Sequence, residues 1–204
     1  MTALITPTLF SNISTFAVIA QHKHVILEVS GNYQKQTFRN RANIYGANGL
    51  LQLNLPVIYS QKDRKSYKDV AIFNQDKWQI HIWKSLESAY KTSPFFEYYE
   101  DELNELFNTK FETVLDFNLK SLNLICELLQ IETTFSKTET FEKTPENSLD
   151  FRHLANRKSE GFNLKPYTQV FGIKHGFISN LSILDLLFNE GTNTVTYLES
   201  QPLK

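Results

Sequence analysis

Cysteine is almost missing from this chain. Cys126 stands alone, which rules out an intrachain disulfide and an all-protein multi-cysteine zinc site, and fits a reducing compartment. Long apolar runs are missing too. Stretches such as Phe16-Ala17-Val18-Ile19-Ala20 fall far short of the roughly 20 residues that a bilayer span needs. The opening residues have neither the basic start nor the apolar stretch of a secretory signal, so a cytoplasmic location without direct membrane insertion is expected. An excess of one charge is absent as well. With 21 Lys and Arg against 22 Asp and Glu, the broad cationic surface of a counterion-releasing nucleic-acid binder is lacking, and no nucleic-acid partner is expected. No Gly-rich phosphate loop, nucleophile elbow or Cys/His zinc spacing occurs. His22, His24 and His81 are too scattered for a metal site, so neither metal nor cofactor is demanded.

What is abundant is aromatic and apolar. The 204 residues include 16 Phe and 9 Tyr, and 41% are hydrophobic, which is enough to build the core of a single domain over residues 1–204 and argues against overall disorder. Ala3 to Ile5 is a short apolar run closed by Pro7. Asn12 or Ser14 can then cap a helix through Ala20, and Val25 to Val29 is β-branched. Strand, helix, strand is the usual crossover of a parallel pair, so an α/β fold is expected: a mixed sheet with a hairpin and helices packed on it.

Asn48-Gly49 is the strongest hairpin signal, and Leu51, Leu53 and Leu55 alternate with polar residues as in a half-buried strand. Gln61 to Lys68 reads as a solvated loop before a short strand at Val70 to Phe73. From Lys77 the period becomes helical, with Trp78, Ile82, Leu86 and Ala89 on one face and Ser93-Pro94 as the stop. Further helices are predicted over Glu100 to Lys110 and along the stripe Leu115, Leu119, Leu122, Cys126 and Leu129. Ile131 to Phe135 is expected to return to the sheet, and Ser136 to Ser148 to form a polar loop. Leu181 to Asn189 reads as a helix with Ser182 and Asp185 at capping-box spacing, stopped by Gly191.

The segment from Asn32 to Arg41 packs two arginines, a lysine and four carboxamides around two rings. In an extended backbone Tyr33, Lys35, Arg39 and Arg41 project from one face and can hold a phosphate or carboxylate. The bland alternative is a salt-bridged edge strand. Asn40 lies within the same patch. His175 sits in a turn-like Gly-Ile-Lys-His-Gly, where an exposed imidazole suits general acid or base work; a backbone-bonding turn histidine is the alternative. Glu87, beside Trp83 and Tyr90 on one helix face, can accept hydroxyl hydrogen bonds, although core-edge rings and a solvated carboxylate explain that face equally. Asp185 could orient a catalytic histidine, but its spacing from Ser182 favours a cap, while Asn189 and Glu190 at the same helix's end are placed to reach a site. Phe95 to Tyr99 reads as packing, and Cys126 as a buried, inert thiol.

Three stretches together resemble the WbqC-like family: Asn32 to Arg41; Leu86-Glu87-Ser88-Ala89-Tyr90 running into Ser93 to Tyr99; and His175-Gly176-Phe177 leading to Asn180 through Gly191. The resemblance implies a bacterial cytoplasmic protein associated with O-antigen and other surface polysaccharides, and this chain looks like the family's shorter form. Longer relatives open with a Gln-Pro-aromatic pattern, whereas Thr6 here stands in the glutamine's place before Pro7. The opening strand, proline turn and helix also look distantly like nucleotidyltransferase-type folds, in which a helix N-terminus faces phosphate.

The expected function is a transferase modifying a nucleotide-linked sugar, or another anionic small molecule. Arg39, Arg41 and Lys35 would neutralise diphosphate or carboxylate charge, with Tyr33, Asn40, Glu87 and Asn189 as further ligand contacts and His175 as the catalytic proton carrier. The rival expectation is a non-catalytic binding or scaffolding protein of the same pathway.

Overall fold

In the computed structural model residues 2–60 and 65–203 are described; half of the charged stretch expected as a loop, residues 61–64, lies outside them. Strand β1 (Ala3–Ile5), helix α1 (Ile13–Ala20) and strand β2 (His24–Leu27) form the predicted crossover. The two strands pair in parallel, with Ala3 opposite Val25. Helix α1 starts at Asn12, whose side-chain Oδ1 accepts from the Thr15 amide at 2.9 Å. Every residue from Ile13 to Ile19 is buried, as befits a helix apolar on nearly all sides.

Strands β3 (Arg41–Gly46) and β4 (Gly49–Asn54) form the predicted antiparallel hairpin, and β5 (Val57–Ile58) pairs with β6 (Ala71–Ile72). Then come α2 (Trp78–Tyr90), α3 (Phe96–Asn108) and α4 (Val114–Leu128), with Trp78, Ile82, Leu86 and Ala89 buried as their spacing predicts. Strand β7 (Thr134–Lys137) returns to the sheet beside β2. Strand β8 (Leu149–Asp150) joins β1 on its other side, giving an all-parallel order β7-β2-β1-β8. Residues 138–148 therefore carry the chain from one edge of this sheet to the other. Helices α5 (Gly172–His175), α6 (Ile183–Glu190) and α7 (Thr194–Glu199) complete the chain.

Two local expectations are corrected. Residues 35–40 are turns and bends rather than an extended strand, because polar groups of this segment bond locally and to distant backbone instead of to a strand partner. Thr37 Oγ1 donates to the Gln34 carbonyl at 2.8 Å, the Phe38 amide donates to the Ala155 carbonyl, and Gln36 has a φ of 58°. Tyr33, Lys35, Arg39 and Arg41 consequently do not form one row. At α6, Ser182 alone caps, accepting from the Leu184 amide at 3.3 Å. Asp185 turns inward, fully buried, and accepts from the hydroxyls of Tyr90 and Tyr167 and from Gln169 Nε2. Burial raises its pKa, and these three donors only partly offset that.

Cys126 is buried, and its thiol is pushed up to about 12 by burial, in keeping with an inert group. In the aromatic cluster Phe96 and Tyr99 pack inside while Tyr98 is exposed. Gly191 ends α6 at a φ of 54°, and a Cβ there would meet the Phe95 ring at 2.5 Å. Gly191→Ala is expected to destabilise the fold by about 2–4 kcal/mol through overpacking and left-handed strain, which urea unfolding will measure.

Candidate functional site

The parallel sheet ends in a cleft of about 470 Å³ lined by Thr6, Glu28, Asp150 and residues around them. Thr6 directly follows β1, Glu28 directly follows β2, and Asp150 closes β8. Because β2 and β8 flank β1 on opposite sides, the carboxyl ends of the strands diverge here. Open α/β sheets bind ligands at such switch points.

Glu28 organises one wall. Its Oε1 accepts from the Ser30 and Gly31 amides at 2.9 and 3.0 Å and from Thr138 Oγ1 at 3.0 Å. Its Oε2 lies 3.3 Å from Arg152 Nη1. Arg152 also pairs with Asp150 at 2.7 Å and donates to the carbonyls of Glu142 and Lys143, tying down the segment between β7 and β8. Above it Phe141, 54% exposed, stacks 5.1 Å from the Arg152 guanidinium at the cleft edge. Gly31 permits this approach, since a Cβ there would lie 3.0 Å from the Phe141 ring.

Arg39 forms the opposite side and is only 8% exposed. Its Nη1 reaches Thr37 Oγ1 at 3.3 Å and Gln34 Oε1 at 3.5 Å, and its guanidinium lies 5.4 Å from the Tyr67 ring. Nε is buried with no partner, and so is Thr6 Oγ1 in the same cleft. Among the described residues no carboxylate pairs with Arg39. Burial lowers its pKa, opposed by Tyr67, Tyr33 and Glu28, but an arginine remains cationic at neutral pH. A buried cation without a counter-charge is costly. The salt-bridged edge strand expected as the bland alternative is therefore not what Arg39 makes.

The other sequence candidates lie apart from this cleft's lining. Tyr33 is a core ring against Tyr59 and Tyr67, its phenol pushed up to about 12 by burial despite Arg39 and Arg41. Lys35 is exposed, 4.8 Å over the Tyr59 ring. Asn40 donates to the Leu55 carbonyl at 3.0 Å. Arg41 opens β3 with its Nε buried and unpartnered. Glu87 is a half-buried residue of α2, and Asn189 donates back to the Asp185 carbonyl within α6. His175 is exposed, and its Nε2 lies 3.0 Å from the Ala47 carbonyl, pinning α5 to the hairpin turn.

The imidazole in the cleft is that of His153, which follows Arg152. Sequence reasoning missed it, along with Glu28, Asp150 and Arg152; the one available signal was a charged residue directly after a short buried strand. The phosphate-facing helix end suggested by the distant nucleotidyltransferase likeness is also occupied. The Ile13, Ser14 and Thr15 amides at the start of α1 donate to Leu181 O, Asn180 Oδ1 and Asn12 Oδ1.

The model of the WbqC-like protein family matches residues 7–161. The chain belongs to this family. The matched stretch takes in Glu28, Arg39, Asp150, Arg152 and His153, and ends before His175 and Asn189. A relative from Mycobacterium tuberculosis (strain ATCC 25618 / H37Rv), "Uncharacterized protein Rv1507c", is 25% identical over 213 residues, covering 90% of each chain. No solved structure matches. Among the described residues no helix is long and apolar enough to cross a membrane.

Asp150 gives the cleft a pH signature. Burial favours its neutral form, but the hydrogen bonds and charge of Arg152 outweigh that and hold the carboxyl below its ordinary value of 3.8. The pair thus stabilises the fold fully above that value and loses its effect as pH falls through the lower folded-state value. Asp150→Asn is expected to flatten the acid limb of stability below about pH 4, read by urea unfolding across a pH series.

Proposed function

We propose that this WbqC-like protein is a transferase that binds a nucleotide-linked sugar in the cleft at the ends of β1, β2 and β8, in the building of bacterial surface polysaccharide. The observation that carries the reading is the Arg39 guanidinium, buried at the cleft without a carboxylate partner. A bound anion relieves the cost of that isolated charge, so affinity and charge compensation come from one contact. Asn32, Gln34, Ser30 and Asn156 in the same lining offer donors and acceptors for sugar hydroxyls, and Phe141 offers a face for a ring. The volume falls within the range of small-molecule sites.

In this reading His153 takes the proton-handling role, since it lines the cleft. A bound acceptor hydroxyl would lose its proton to that imidazole as its oxygen bonds to the sugar's anomeric carbon, while the bond from that carbon to the diphosphate breaks and the nucleoside diphosphate leaves with the electron pair. Binding without chemistry is the second reading. It draws support from Glu28 and Asp150, both of which are already tied to Arg152 and so are poorly disposed to act as bases.

Titration of wild type with UDP-, dTDP- and GDP-linked sugars, followed by calorimetry, tests the site. Arg39→Ala is expected to weaken binding about 10- to 100-fold, the loss of a charge-assisted hydrogen bond; unchanged affinity would remove Arg39 from the site. Turnover assays with the best ligand and a panel of acceptors then separate the two readings. Loss of product with His153→Ala but not His175→Ala supports catalysis at the cleft, and tight binding with no product across the panel supports the binding protein.

A further inference from the structure

Two acidic groups of a nucleotide-linked sugar can meet Arg39, the diphosphate or an acid on the sugar itself, and charge balance separates them. The second cation of the cleft, Arg152, already faces two carboxylates, Glu28 at 3.3 Å and Asp150 at 2.7 Å. Arg39 is thus the one guanidinium in the lining with charge to spare. A diphosphate seated at Arg39 would set two negative charges against this one free cation, whereas the sugar's carboxylate seated there sets one and leaves the diphosphate of the same ligand nearer solvent.

Geometry points the same way. Thr37 Oγ1 and Gln34 Oε1 both engage Nη1, which fixes the plane of the guanidinium and leaves the Nε and Nη2 edge. That edge matches the two coplanar oxygens of a carboxylate. Nε is buried and unpartnered, and Thr6 Oγ1, buried and unpartnered in the same cleft, offers a further hydroxyl. Arg39 is 8% and Thr6 3% exposed, so both polar groups are shielded from the solvent that would otherwise satisfy them.

We propose that Arg39 and Thr6 form a carboxylate subsite, which makes the protein selective for nucleotide-linked uronic acids over their neutral counterparts. This rests on the nucleotide-sugar reading of the cleft. The recognised group is the sugar's C6 carboxylate, held in the fork of Arg39 with Thr6 beside it. The nucleotide then lies away from the floor of the cleft.

The test compares matched pairs by calorimetry at fixed salt: UDP-glucuronate with UDP-glucose, and GDP-mannuronate with GDP-mannose, each also against free glucuronate. The wild type is expected to prefer the acid of at least one pair by 10-fold or more. Arg39→Lys, which keeps the charge but loses the fork, should bring that ratio close to one, and Thr6→Val, which keeps the shape but loses the hydroxyl, should reduce it several-fold. Thermal unfolding checks that each variant is folded, and either variant suffices if the other is not. Equal affinity for acid and neutral sugars overturns the carboxylate subsite while leaving the nucleotide-sugar reading standing. Binding of free glucuronate as tight as its nucleotide-linked form supports the subsite and overturns the nucleotide part. A ratio unchanged in both variants assigns the preference elsewhere and overturns the proposal, and no binding of any probe overturns both.

Discussion

The carboxylate of Glu28 holds together three parts of the chain that are far apart in sequence. One oxygen gathers the backbone just beyond β2 and the hydroxyl of Thr138, and the other meets Arg152 beyond β8. Without this hub the end of β2, the segment that crosses the sheet and the polypeptide after β8 have no shared anchor. Its position explains why the cleft exists where it does. A parallel sheet whose neighbours leave its central strand in opposite directions opens a gap at the strand ends, and Glu28 fixes the gap's walls while leaving Arg39 without a carboxylate of its own.

A second polar centre secures the other half of the molecule. Asp185 gathers Tyr90, Tyr167 and Gln169, and Tyr90 in turn receives the Tyr45 amide of the hairpin. A single buried carboxylate thus connects α2, α6, the hairpin and the chain before α5. The same hairpin receives His175 at its turn, apart from the lining of the cleft. The two centres differ in kind. Around Asp185 every donor is internal, whereas two residues that line the cleft, Arg39 and Thr6, each bury a polar atom that has no partner.

Much of the architecture was legible because local chemistry and packing agree. Asn12 caps a run that is apolar on nearly all sides, Asn48-Gly49 closes a hairpin, and the stripe from Trp78 to Ala89 has the period of the helix it forms. Strand β8 was not legible, since the two residues Leu149 and Asp150 carry no period and become a strand only by pairing with β1. Arg39 could be singled out by its cationic, amide-rich surroundings. Its neighbours could not be placed, because the hydroxyl of Thr37 and the amide of Gln34 bond within the segment and bend it. The far wall was silent for another reason: Glu28 and the run from Asp150 to His153 look like ordinary surface residues until the sheet brings them to one edge.

The contact between Gly31 and Phe141 has a consequence for how such a cleft diversifies. Phe141 rests against the turn held by Glu28 and against the Arg152 guanidinium, and the absence of a methyl group at position 31 lets it do so. Replacing one hydrogen there would tilt the ring outward and loosen its stacking on the guanidinium while leaving Arg39 and Thr6 in place. The width of the cleft's edge and the charge of its floor are therefore set by different residues, so a change at position 31 can alter the first while Arg39 and Arg152 keep the second.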